Sequence, residues 1–152
     1  MDAFQAGLSW KTVMHKRDAF RKVFYGFDTQ RVAGMSEKAM AEAMANPAII
    51  RNRLKIRAAV KNAQAYLRLQ ETHGSFDDFI WAFTGGRVIR NRWKTLDTIP
   101  AKTDLSDTVS KALKQQGFTF VGSTICYSFL QAAGVVNDHV VSCFRYRRLS
   151  EK

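Results

Sequence analysis

A chain of 152 residues, 46% of them hydrophobic, is long enough to bury a core and too apolar to be a disordered basic tail. Its formal charge of +11 points to a polyanionic partner, with nucleic acid the first candidate. No apolar run approaches the roughly 18 residues that span a membrane, Asp2 and Gln5 interrupt any signal-peptide pattern, and two cysteines make no disulfide framework, so a reducing cytoplasmic compartment is expected.

In chain order the pattern is almost entirely helical. From about residue 3 to 24, Phe4, Leu8, Val13, Phe20, Val23 and Phe24 recur at mostly helical spacing, ending at Gly26. This stretch opens with a carboxylate (Asp2), an amide (Gln5) and a large ring (Trp10) close together. Such a set suits a base-recognition pocket, in which a ring stacks on a flipped base and polar groups read its edge. It also suits a core Trp10, a helix-capping Ser9 and a terminal Asp2, and from the residues alone both readings stand.

Asp28 and Ser36 are placed to cap two short helices, Thr29–Ala33 and Glu37–Ala45, the second broken by Asn46-Pro47. A longer helix is expected over residues 52–69, with Ile56, Val60, Ala63 and Leu67 on one side and basic residues on the other. Ser75 with Asp78 resembles a capping box opening a short helix through Trp81 and Phe83, stopped by Gly85-Gly86. Residues 84–104 contain Pro100 and little periodicity, and read as a long surface connection. One hexapeptide recurs: Ile50-Arg51-Asn52-Arg53-Leu54-Lys55 as Ile89-Arg90-Asn91-Arg92-Trp93-Lys94. Its arginines are either solvated turns or phosphate contacts, Arg51 and Arg53 being the candidates, and Asn52 is either a cap or a ligand contact.

Towards the carboxyl end, two amphipathic helices are joined by Gly117-Phe118-Thr119-Phe120-Val121-Gly122, a helix-hairpin-helix pattern over about residues 105–134. Glycines at both ends let the hairpin turn tightly and approach another molecule. The second glycine opens a helix at Ser123, where unpaired N–H groups can point at a phosphate. Cys126, in an apolar helical stretch, reads as core. His139 and Cys143 are four residues apart; if Asn137 caps a helix, both lie on one face and can share a zinc ion. Two ligands are half of a structural site, and ordinary packing is the alternative. No Ser/His/Asp triad or Walker loop competes.

Taken together, Phe4-Gln5-Ala6-Gly7-Leu8-Ser9-Trp10, the run Ile49-Ile50-Arg51-Asn52-Arg53-Leu54-Lys55-Ile56, the run from Gly117 to Phe129, and Asn137-Asp138-His139-Val140 resemble the DNA-3-methyladenine glycosylase I family. The likeness covers essentially the whole chain in the family's order. It implies an all-α, compact multi-helix domain of the helix-hairpin-helix DNA glycosylase type over residues 1–152. The implied activity is hydrolysis of the N-glycosidic bond of 3-methyladenine in double-stranded alkylated DNA, by base flipping, in a monomer. By resemblance, Trp10 is the stacking platform, and Asp2 stands where the family has an acidic residue, usually glutamate, that hydrogen-bonds the base edge. The hairpin, residues Gly117 to Ser123, is the DNA-backbone anchor.

Related glycosylases carry a catalytic aspartate where this chain has Asn137, so Asp138 is not assigned as a general base. His139 and Cys143 match two of the family's four structural zinc ligands. The Cys-x-Trp and Tyr-His-Asp-x-x-Trp-Gly segments that supply the other two have no counterpart here. A DNA-binding module that keeps the hairpin and basic face without catalysis is therefore the alternative expectation.

Overall fold

A computed structural model describes Phe4, Gly7 and residues 9–148, and of Trp10 only the backbone. Helices dominate, as the periodicity predicts, and the described residues fall into two compact units. One comprises the chain up to Phe76 together with Leu113–Val121; the other comprises Asp77–Ala112 together with the residues from Gly122 on. Among the described residues no helix is long and apolar enough to cross a membrane.

In the first unit, Ser9 caps α1 (Trp10–His15), its Oγ accepting from the Thr12 N–H at 3.2 Å. The helical stretch expected from about residue 3 to 24 is interrupted at Lys16. Lys16 leaves helical dihedrals, and its Nζ donates to the carbonyls of Pro47 and Ala48 at 3.1 and 3.2 Å before α2 (Arg17–Val23) resumes. The chain then makes a left-handed turn, with φ of 52° at Tyr25, 71° at Gly26 and 66° at Phe27. Asp28 and Ser36 cap α3 (Thr29–Ala33) and α4 (Glu37–Ala45) as expected.

The long helix α5 (Arg53–His73) starts at an Asn52 cap and ends at Gly74, whose φ is 80°. Asn52 is thus a cap. Ile56, Val60 and Ala63 of α5 pack with Phe4, Phe20, Phe24, Val32, Met35, Ala43 and Ile49. The rings of Phe4 and Phe20 lie 4.4 Å apart, centroid to centroid. Fully burying one such ring contributes about 1.5–3 kcal/mol, which ties Phe4 into this core.

Helices α6 (Phe76–Trp81) and α7 (Asp104–Gln115) carry the chain between the units, and α8 (Ser123–Ala132) and α9 (Phe144–Arg148) belong to the second. Cys126, Tyr127 and Leu130 form the buried stripe of α8. The connection over residues 84–104 is less irregular than its composition indicates. Ile89–Arg90 forms β1, which pairs in parallel with β2 (Val136–Asn137) in the register Ile89 to Val136 and Arg90 to Asn137.

That pairing overturns the expectation that Asn137 caps a helix. Gly134, at φ 78°, terminates α8, with the Val135 N–H donating back to the Leu130 carbonyl at 2.9 Å. The β-branched, buried pair Val135-Val136 then continues as extended chain, and the next helix begins only at Phe144.

Candidate nucleic-acid interface

The hairpin owes its shape to one glycine and one distant asparagine. Gly117 has φ +90°, and a Cβ there would stand 3.1 Å from Nη2 of Arg68. The N–H groups of Gly117 and Phe118 donate to the carbonyls of Lys114 and Leu113, both at 3.0 Å. Asn62, half-buried in mid-α5, engages both backbone groups of the next residue, Thr119. Its Oδ1 accepts from the Thr119 N–H at 2.8 Å, and its Nδ2 donates to the Thr119 carbonyl at 2.9 Å. The first three amides of the hairpin are therefore committed inside the fold and are not open to a phosphate.

Phe118 is buried, its ring 6.0 Å from that of Phe76, and Phe120 takes φ 55°. Gly122 differs from Gly117. Its φ is −64° and ψ 159°, it precedes α8 as an N-cap without a side-chain acceptor, and a Cβ there would meet nothing within 4 Å. The fold itself imposes no need for glycine at this exposed position. The first amides of α8, at Ser123, Thr124 and Ile125, have no carbonyl one turn back inside the helix, so the electropositive helix end opens beside Gly122.

Of the amino-terminal candidates, Asp2 lies outside the described residues, as does the side chain of Trp10, whose backbone is the first residue of α1. Phe4, between them, is described: Lys55 is buried and its Nζ donates to the Phe4 carbonyl at 3.0 Å, so the last residue of the Ile50–Lys55 hexapeptide holds Phe4. Burial pushes the Lys55 ammonium below the usual lysine range. Arg51 and Arg53 are exposed at the start of α5, available to a polyanion.

The second copy of the hexapeptide does something else. Asn91 Nδ2 and Trp93 Nε1 both donate to Oδ1 of Asp138, at 2.7 and 2.6 Å, while the Tyr127 hydroxyl and Gln131 Nε2 (2.8 Å) donate to Oδ2. Burial alone would raise the carboxyl's pKa, but the donors from Tyr127, Asn91, Gln131 and Trp93 outweigh it and hold Asp138 below the ordinary carboxylate range. A carboxylate with both oxygens doubly engaged is a structural hub and a poor proton acceptor. It borders a cavity of about 540 Å³ lined also by Val88, Ile99 and Gln131, and contributes no available base to it.

His139 and Cys143 converge although no helix joins them, with Sγ 3.7 Å from Nδ1. With zinc–sulfur and zinc–nitrogen bonds of about 2.3 and 2.1 Å at a tetrahedral angle, two ligands of one ion stand about 3.6 Å apart. The pair therefore has ligand spacing. Among the described residues no further His, Cys, Asp or Glu joins them in a metal-binding group, so these residues alone do not complete a zinc site.

Sequence reasoning missed Asn62, Lys55 and the hub role of Asp138. The available signals were a polar residue between Val60 and Ala63 of a buried stripe, and a lysine where an amphipathic helix turns apolar.

Comparison with known proteins fits this arrangement. The family model described as methyladenine glycosylase matches residues 1–146. The chain is 47% identical over 146 residues to DNA-3-methyladenine glycosylase 1 of Escherichia coli (strain K12), covering 96% of this chain and 78% of that protein. A crystal structure of 3-methyladenine DNA glycosylase I superposes with a TM-score of 0.90 at 48% identity, over 94% of this chain and 79% of the other. A variant of 3-methyladenine DNA glycosylase I in complex with 3-methyladenine superposes with a TM-score of 0.91 at 34% identity, over 94% and 77%.

Proposed function

This chain belongs to the methyladenine glycosylase family, and from that premise we infer that it is a DNA-3-methyladenine glycosylase, hydrolysing the N-glycosidic bond of 3-methyladenine in alkylated DNA. The observation that carries this reading is 47% identity, along nearly the whole chain, to a protein named for that activity. Methylation at N3 makes adenine cationic, so its glycosidic bond is already weak and the base departs neutral. The enzyme's task is then to flip the nucleotide, hold it and favour the bond-broken state. A strong general base is dispensable for such a substrate, which is consistent with the engaged carboxylate of Asp138.

The roles follow from that task. Trp10 stacks on the flipped base and Asp2 accepts from its edge. Gly122, Ser123 and the first turn of α8 contact the DNA backbone, with Phe120 and Val121 shaping the approach. Gly117, Phe118 and Thr119 fix the turn, and Arg51 and Arg53 add phosphate contacts. The substrate is duplex DNA and the enzyme acts as a monomer in the bacterial cytosol. His139 and Cys143 are read as half of a structural zinc site; zinc bound there would supply rigidity, and no step of excision runs through it.

Trp10→Ala tests the base pocket. Base–aromatic stacking is worth about 1–3 kcal/mol, so excision should fall about tenfold or more while affinity for undamaged duplex changes less than about twofold. Equal losses in the two assays would return Trp10 to a core role.

A further inference from the structure

We propose that Asn62 is a positioning residue for DNA binding, fixing from α5 the backbone of the hairpin at Thr119 and with it the conformation in which the hairpin meets the phosphate backbone. This rests on the reading of that turn as the DNA anchor.

The N–H and the carbonyl of Thr119 both bond to the one amide of Asn62, at 2.8 and 2.9 Å, and the Thr119 Oγ1 lies 3.3 Å from the same Oδ1. A side-chain amide paired to both backbone groups of one residue fixes the two peptides that flank it, as a neighbouring strand would. The residue so held lies three positions before Gly122, and between them Phe120 sits in the left-handed region, where a non-glycine residue is retained only when its surroundings fix it.

Asn62 also stands on the longest helix, between the buried residues Val60 and Ala63, so the clamp is mounted on a rigid element. It lines an aromatic cavity of about 270 Å³ with Phe24, Phe27, Tyr66, Phe76 and Phe118.

The experiment compares Asn62→Ala with the unaltered chain and with Gly122→Ala, measuring duplex affinity against salt, KM and kcat on methylated DNA, and hydrogen exchange of the Thr119 amide. For Asn62→Ala the expected results are fast exchange at Thr119, an affinity about tenfold weaker, a raised KM and a kcat within about threefold. The slope of log K against log salt should become shallower by about 1–2, since each lost phosphate contact removes about 0.9. A merely structural role would lower the active fraction, and hence kcat, leaving KM and the salt slope where they were. That result overturns the proposal.

If Asn62→Ala does not fold, Asn62→Gln keeps the amide on a longer stem and should show the same shallower slope; an unchanged slope there also overturns it. If Gly122→Ala weakens binding and the Asn62 variants do not, Asn62 does not position the turn. If neither weakens binding, the reading of the turn itself fails.

Discussion

Replacing Tyr127 by Phe removes one hydroxyl from the Asp138 hub and leaves the ring in place, so the cost can be worked from the local bonds. Tyr127 is 3% exposed, and its O–H donates to a carboxylate that keeps three other donors: Asn91 at 2.7 Å, Trp93 at 2.6 Å and Gln131 at 2.8 Å. A hydrogen bond to a charged group contributes about 1.5–3 kcal/mol, and the surviving donors place the loss near about 2 kcal/mol. For a chain of this size that is roughly 4–8 °C in Tm.

The loss should also depend on pH with a defined sign. Burial first, then the bond to Asp138 and the field of its charge, raise the Tyr127 pKa far above the ordinary phenol value of 10.0. A group with a raised folded pKa adds stability that is complete below the unfolded value and is lost as pH rises past it. Between pH 10 and 11 the unfolded phenol ionises and the folded one does not, so the gap between the two proteins should narrow by about 1 kcal/mol. Urea unfolding at pH 7, 10 and 11 reads both effects. No gap at pH 7, or a gap that widens with pH, would refute the hub.

The two hairpin glycines should respond oppositely to alanine. Gly122→Ala has an ordinary φ and open space, so its unfolding midpoint in urea should match the parent while its affinity for duplex DNA falls severalfold. Gly117→Ala meets a left-handed φ and the Arg68 guanidinium at 3.1 Å, and should lose about 1–2 kcal/mol in the same titration. Lys55→Met keeps the aliphatic stem and takes the donor from the Phe4 carbonyl, and a buried acceptor left without its donor should lower stability by about 1–3 kcal/mol. Its excision rate, measured on methylated DNA, should also fall if this bond helps to place Trp10.

What the amino-acid sequence disclosed was local. The caps Asp28, Ser36 and Asn52 are legible because a cap is a contact between residues three apart, written in the chain where it acts. The expected Asn137 cap failed because Val135 and Val136 find partners in β1, some 47 residues upstream, and tertiary pairing overrides the local pattern. Asn62 and Thr119 are 57 residues apart, and no periodicity links them. The repeated hexapeptide shows the same limit from the other side. Two copies that differ only in Leu54 against Trp93 cap a helix at Asn52 and, through Asn91 and Trp93, feed a buried carboxylate; the shared asparagine takes its role from what each copy packs against. The resemblance to a glycosylase family supplied the chemistry that spacing alone left open, and the fold agrees with it.

Release of free base is the most direct measurement. The chain, incubated with duplex DNA treated with a methylating agent, should liberate 3-methyladenine, detected by chromatography, at a rate well above that of a heat-inactivated sample and falling steeply in Trp10→Ala. Protein that binds the same duplex in a salt-dependent way yet releases no more 3-methyladenine than the inactivated control would contradict the account and leave a DNA-binding module in its place.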